Sequence, residues 1–284
     1  MNDEKYRYRR LAYIGVCILL FFLTILIFIF GLATKKYYGN TILIISIVLL
    51  VVSLIYAFLL RVIINSLKNR YKMFVIDDAF KTYNFLYESR QQGIYKNKYA
   101  IYIDEFNNLN YYKKNDEFEF LINELVVGSI RDIQFRSEDY SFISNSGNTK
   151  KCGRIYSLNL KSDDSFKLII TNDDYSASFK KLDLKLLGFN FYTNNIDLAN
   201  KYIKEDEFKI KIEKIMKYGP LFIEITNSSL YFIIDGIKNS FSIDNRDYND
   251  ISNDVEREIY IINNVIDSFK FEFKPKEEKK LKIK

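Results

Sequence analysis

Two stretches near the start of the chain contain no charged residue. Leu11 to Thr34 runs for 24 residues, and Thr41 to Leu60 adds 20 more. As helices they extend about 36 and about 30 Å, enough to cross a hydrocarbon core. They are apolar on every side, which excludes amphipathic helices lying on a surface. Only KKYYGN, residues 35–40, separates them. The pattern therefore predicts a transmembrane helical hairpin with spans at about 11–34 and 41–60, inside a membrane anchor covering 1–60.

Beyond Leu60 the apolar residues fall into helical spacing: Ile64, Leu67, Tyr71, Val75, Ala79, Tyr83 and Leu86 form one stripe. This predicts a juxtamembrane helix within 61–93, read either as a plain connector or as a stalk that transmits a signal. After Gly93 the pattern turns to short segments rich in Ile, Phe and Tyr: YAIYI (99–103), RDIQFR (131–136), RIYSLNL (154–160), FKLIIT (166–171), FNFY (189–192), LFIEI (221–225) and LYFIID (230–235). Several alternate apolar with polar residues, as half-buried strands do. Turn chemistry separates them at Asn145–Asn148, Ser162–Ser165 and Thr226–Ser229.

Helices interrupt the strands twice. Asn194 or Asn195 caps one that runs through Ile203 and continues or restarts at Asp206 toward Tyr218, where Gly219-Pro220 ends it. The other spans Asn253 to about Phe269, with Val255, Ile259, Ile262, Ile266 and Phe269 on one face. The expected fold class is α+β: an N-terminal transmembrane helical hairpin followed by a mixed, strand-rich soluble domain with about four helices. That domain is placed at 94–273, with a basic tail at 274–284.

Charge changes the picture by giving the hairpin a direction. Residues 1–72 hold ten Lys/Arg against two acids, residues 73–273 are net −6, and the tail is net +4. The overall +6 of this 284-residue chain thus belongs to its two ends. Lys5, Arg7, Arg9 and Arg10 precede the first span; Arg61, Lys68, Arg70 and Lys72 follow the second. The positive-inside rule then puts both termini of this multi-pass chain in the cytoplasm. A cleaved signal peptide is the competing reading of the first run. That run is too long, lacks an A-x-A-like site and is followed at once by a second span. Arg9-Arg10 reads as flanking charge, not as a twin-arginine signal.

Candidate chemistry is sparse. The chain has no His, no Trp, two Cys and ten Gly. Without His it lacks the commonest general base and the usual partner of a nucleophilic Ser or Cys. No Gly-rich phosphate loop, zinc signature or nucleophile elbow occurs. Asp244, Asp247 and Asp250 make an acidic loop without EF-hand spacing, read as a turn before the last helix. The Asp pairs at 77–78, 163–164 and 173–174 fit caps and turns, because neighbouring side chains diverge on either kind of element. Cys152, beside Lys150, Lys151 and Arg154, is a weak candidate for a reactive thiolate. No catalytic residue, metal ligand or cofactor is expected.

The stretches VVGSIRDIQFRSEDY (126–140), GRIYSLNL (153–160) and FNFYTNNIDLANKYIKEDEFKIKIEKIMKYGPLFIEITNSSLYFIID (189–235) resemble the bacterial two-transmembrane family catalogued as domain of unknown function 3137. The resemblance implies two spans, a juxtamembrane helix and an α+β domain, and brings no catalytic residues with it. The expected function is therefore a membrane-anchored binding or assembly module; the alternative is a membrane-tethered hydrolase or transferase using Asp/Glu, Ser or Lys. The expected partners are the lipid bilayer and another membrane protein or a second copy of the chain; nucleic acid is not among them, since no aromatic platform accompanies the basic residues. Lys279, Lys280, Lys282 and Lys284 give the tail two readings, a solvated end or a contact with an anionic leaflet.

Overall fold

A computed structural model describes residues 3–38, 41–81, 83–88, 103–113, 118–161, 165–174, 179–226, 228–237, 241 and 248–274. Contacts divide the chain into two units, Met1–Asp78 with Ile243–Tyr248, and Ala79–Ser242 with Asn249–Lys284.

The first unit is made of α1 (Asp3–Tyr38) and α2 (Thr41–Lys81) through Asp78. Each is long and apolar enough to cross a membrane, and only 11% and 6% of their most apolar stretches is buried. Such bare apolar surface distinguishes them from core helices of a globular protein; the chain is membrane-associated. Their buried residues draw a seam: Tyr6, Thr24 and Gly31 on α1, Ser53, Leu60 and Tyr71 on α2. Tyr6 and Tyr71 stack with centroids 4.4 Å apart. Equal steps inward from that pair arrive at Thr24 and Ser53 together, the register of an antiparallel hairpin. Both hydroxyls donate back to their own helix, Thr24 to the Leu20 carbonyl and Ser53 to the Leu50 carbonyl, each at 2.8 Å. With their polarity satisfied locally, these small side chains let the helices approach.

The helix expected at 61–93 is continuous with the second span and ends earlier. No Gly or Pro stands between Thr41 and Lys81, and α2 runs unbroken through both regions. It stops well before residue 93 because Asn84 adopts a left-handed φ of 54° and turns the chain into β1 (Leu86–Glu88). Leu86, assigned above to the helical stripe, pairs with Val127 as a strand residue.

The second unit is built on one antiparallel sheet. Its other strands are β2 (Glu119–Ile130), β3 (Ile133–Ile143), β4 (Thr149–Asn159), β5 (Leu168–Thr171), β6 (Lys180–Lys181), β7 (Asn190–Thr193), β8 (Leu221–Thr226) and β9 (Ser229–Asp235). They lie in the order β1-β2-β3-β4-β9-β8-β5-β7-β6. The expected strand at 131–136 begins two residues late. Arg131 and Asp132 take φ of 52° and 62° and form the tight turn between β2 and β3. The segment 99–102 of the expected strand 99–103 lies outside the described residues, and Ile103 opens a short helix, α3 (Ile103–Asn107), followed by α4 (Asn110–Lys113). The turns at 145–148 and 226–229 connect β3 to β4 and β8 to β9.

Two faces follow from the period-two alternation. One carries α3 and α4, whose Phe106, Leu109 and Tyr111 pack with Phe120, Tyr140, Phe142, Ile155 and Ile233. The other carries α6 (Glu205–Met216) and α7 (Tyr248–Ser268), where Phe208 meets Phe191 and Phe269. Before α6 comes α5 (Ile196–Tyr202), whose N-cap is Asn195: its side chain accepts from the Leu198 N–H at 3.1 Å.

Candidate functional site

On the α3–α4 face, Gly153 of β4 stands in register between Tyr140 of β3 and Asp235 of β9. Its missing side chain matters: a Cβ there would sit 2.2 Å from the Ile234 carbonyl oxygen and 2.8 Å from the Tyr140 hydroxyl. Tyr140 therefore lays its ring across the glycine and donates its hydroxyl to Asp235. Tyr111, brought from α4, donates to the same carboxylate oxygen, and the two phenol oxygens lie 2.6 Å apart. The other oxygen of Asp235 faces Lys151, at 2.8 Å, and the Lys151 ammonium also rides 4.4 Å over the Tyr111 ring. Burial and the neighbouring carboxylate raise both phenols above their ordinary pKa, so they remain donors at any physiological pH.

Tyr111, Lys151 and Asp235 of this constellation line a cleft of about 730 Å³, within the range of small-ligand sites; Tyr140 lies buried beneath them. Met216, Tyr218, Leu221 and Phe222 supply apolar wall; Asn110, Asn172 and Asp173 supply polar edge. Lys217 stands at the mouth, 4.9 Å over Tyr218 and 5.0 Å over Tyr260. The wall follows from the end of α6. Gly219 takes a φ of 151° and passes against the backbone of Asp235, where a Cβ would lie 1.9 Å from the carbonyl oxygen.

Behind the cleft lies Glu224 of β8, 2% exposed. It accepts from the Asn110 backbone N–H at 2.8 Å and from the Asn110 side-chain amide at 2.7 Å. Burial outweighs those hydrogen bonds and lifts its pKa to about 7. Arg136 ties α3 to the same face through Glu105 at 3.1 Å.

The opposite face holds a second polar cluster, fully enclosed. Arg154 is inaccessible to solvent; it pairs with Glu258 of α7 at 2.9 Å and with Asp139 at 2.7 Å, and donates to Ser137 at 2.9 Å. Tyr156 donates to the other oxygen of Glu258 at 2.9 Å, and Phe241 covers the guanidinium at 5.0 Å. Burial opposes the Arg154 charge, but the two carboxylates outweigh it and raise its pKa. With its charges matched and enclosed, this cluster ties α7 to the sheet and offers no access to a ligand.

The residues singled out from sequence lie elsewhere. Antiparallel pairing in the first unit gathers Lys5, Arg7, Arg9, Arg10, Arg61, Lys68, Arg70 and Lys72 at one end of the hairpin. Lys279, Lys280, Lys282 and Lys284, the turn at 162–164 and Asp244 and Asp247 lie outside the described residues. Cys152, on β4, is half-buried and forms no disulfide. Among the described residues no group of three or more Cys, Asp or Glu could hold a metal ion. The sequence reading did not single out Tyr111, Tyr140, Asp235, Glu224 or Glu258. Their signal was a polar residue at a core position: Glu224 inside LFIEI and Glu258 beside the apolar face of α7.

No protein-family model matches the chain, and no curated protein matches it in sequence. The crystal structure of the mycobacterial trehalose monomycolate transport factor A, TtfA, is similar at a TM-score of 0.36 with 9% identity, covering 69% of this chain and 96% of that one. A likeness this distant carries no function across.

Proposed function

We propose that the chain is an integral protein of the bacterial plasma membrane with both termini in the cytoplasm, and that its sheet domain is a binding or assembly module. The observation behind this reading is the cleft. Its polar floor is already assembled, with Asp235 held by two phenols and one ammonium, beside an apolar wall of ligand-binding size. Preorganised polar groups next to apolar surface favour recognition.

The test is photo-crosslinking of the full chain in its native membrane. A photoreactive residue in place of Phe222, at the cleft, is expected to yield an adduct with a second molecule, and one in place of Glu213, on the exposed side of α6, is not. Equal labelling at both positions, or none at either, rejects the cleft as the binding site.

A second reading, the membrane-tethered hydrolase or transferase, draws on Glu224. A carboxyl with a pKa of about 7 is matched to general acid–base work. Against it stands the geometry, because both Glu224 oxygens are engaged by Asn110. Hydrolysis of generic esters or phosphoesters by the purified chain, abolished in Glu224→Gln, would favour the enzyme.

A further inference from the structure

The register of the hairpin shows which part of α2 lies at the membrane boundary. Equal steps from the stacked Tyr6 and Tyr71 bring Leu11, the first residue of the uncharged run of α1, level with Ser66. The boundary seen from α1 thus falls beyond Leu60, and Arg61 lies about 9 Å deeper than Arg10, a span its long side chain covers toward the headgroups. Asn65 to Arg70 therefore runs through the interfacial layer. That layer is about 5–8 Å thick on each side, and Asn65 to Arg70 rises about 7 Å along the helix.

This stretch bears a shallow groove of about 770 Å³. Val62 lines it at the hydrocarbon side, Asn65, Ser66, Asn69 and Arg70 line its middle, and Met73, Phe74 and Asp77 close its far end. Arg70 and Asn69 are exposed, as are Arg9, Arg10 and Arg61 at the same end of the hairpin.

We propose that this groove holds the headgroup of an anionic phospholipid from the leaflet bordering the charged end. The Arg70 guanidinium matches phosphate oxygens as a fork. Asn65, Ser66 and Asn69 donate hydrogen bonds to the ester and glycerol oxygens, and Val62 meets the start of the acyl chains. Arg9, Arg10 and Arg61 raise the local concentration of anionic lipid, and they repel the ammonium of a zwitterionic headgroup. The proposal rests on the reading that α1 and α2 cross a bilayer.

The full chain reconstituted in phosphatidylcholine vesicles, with trace spin-labelled phosphatidylglycerol or phosphatidylcholine, tests it by the motionally restricted component of the spin-label spectrum. Phosphatidylglycerol is expected to associate about fivefold more strongly than phosphatidylcholine, the factor one basic side chain near an anionic surface contributes. Asn69→Ala with Arg70→Gln is expected to remove most of that preference, and Arg9→Gln with Arg10→Gln to leave part of it. A restricted component of equal size for both lipids overturns the site while leaving the spans intact. A preference that survives Asn69→Ala/Arg70→Gln assigns selectivity to the general charge and overturns the groove. No restricted component for either lipid overturns the spanning reading and the proposal with it.

Discussion

Glu224 couples the protonation of the sheet to the cleft, and its sign can be worked out. Its pKa is about 7 when folded, against an ordinary 4.5. Between those values the folded domain holds a proton that the unfolded chain has released. Stability from this group is therefore complete below 4.5 and is lost as the pH rises to 7, by about 3 kcal/mol in order of magnitude. Denaturant midpoints of the full chain in detergent are expected to fall from pH 5 to pH 7.5, and Glu224→Gln to flatten that slope. An unchanged slope in the variant would assign the pH dependence to other groups. Arg154 makes the opposite case, a buried charge whose partners depend on it. Arg154→Met leaves Glu258 and Asp139 enclosed without a cation, at a cost of about 3–5 kcal/mol. Gly153→Ala is expected to destabilise by about 1–3 kcal/mol, because its Cβ meets the Ile234 carbonyl and the Tyr140 hydroxyl. A variant as stable as the parent would mean that Tyr140 does not need the gap.

At the scale of elements, the hairpin makes a sharp prediction about register. Cys17 and Leu60 stand the same number of steps inward from Tyr6 and Tyr71, with Leu60 buried and Cys17 half-buried. In a Cys152→Ser background, Leu60→Cys is expected to form an intrachain disulfide with Cys17 on oxidation, and Phe58→Cys, 71% exposed, is not. Mass spectrometry of the digested chain reads the difference; crosslinking of Phe58→Cys alone would place the seam on another face. Elements with strong local signals were legible in advance: the spans by length, α5 by its Asn195 cap, β8 and β9 by their apolar runs. Long β2 was not. The left-handed Glu124 and the register shift between Asn123 and Val126 break its period of two, so alternation never declares itself. The end of α2 was misread because Leu86 continues the helical spacing by coincidence, while Asn84 had already turned the chain. The cleft residues were illegible for a different reason. Tyr111, Tyr140, Lys151 and Asp235 converge from four elements, and no spacing along the chain encodes a convergence that strand order creates.

For the whole molecule, the distribution of charge makes an argument that its total conceals. A formal +6 reads as a basic protein, yet the region holding the sheet is net acidic. The basic residues gather at one end of the hairpin, where the helices pair through Tyr6 and Tyr71. The loop at the other end carries only Lys35 and Lys36. That asymmetry orients a hairpin because cationic flanks resist translocation. A reporter active only in the cytoplasm, fused after Lys284, is therefore expected to be active, and one inserted in the loop at 35–40 inactive. Replacing Lys5, Arg7, Arg9 and Arg10 with Gln leaves the first span flanked mainly by the two loop lysines, and is expected to invert a measurable fraction of the chains. Both reporters read the same population, so their activities should shift in opposite directions. Loss of the Lys284 signal without a gain in the loop signal would point to degradation, and an active loop reporter with an inactive Lys284 reporter in the unaltered chain would reverse the topology.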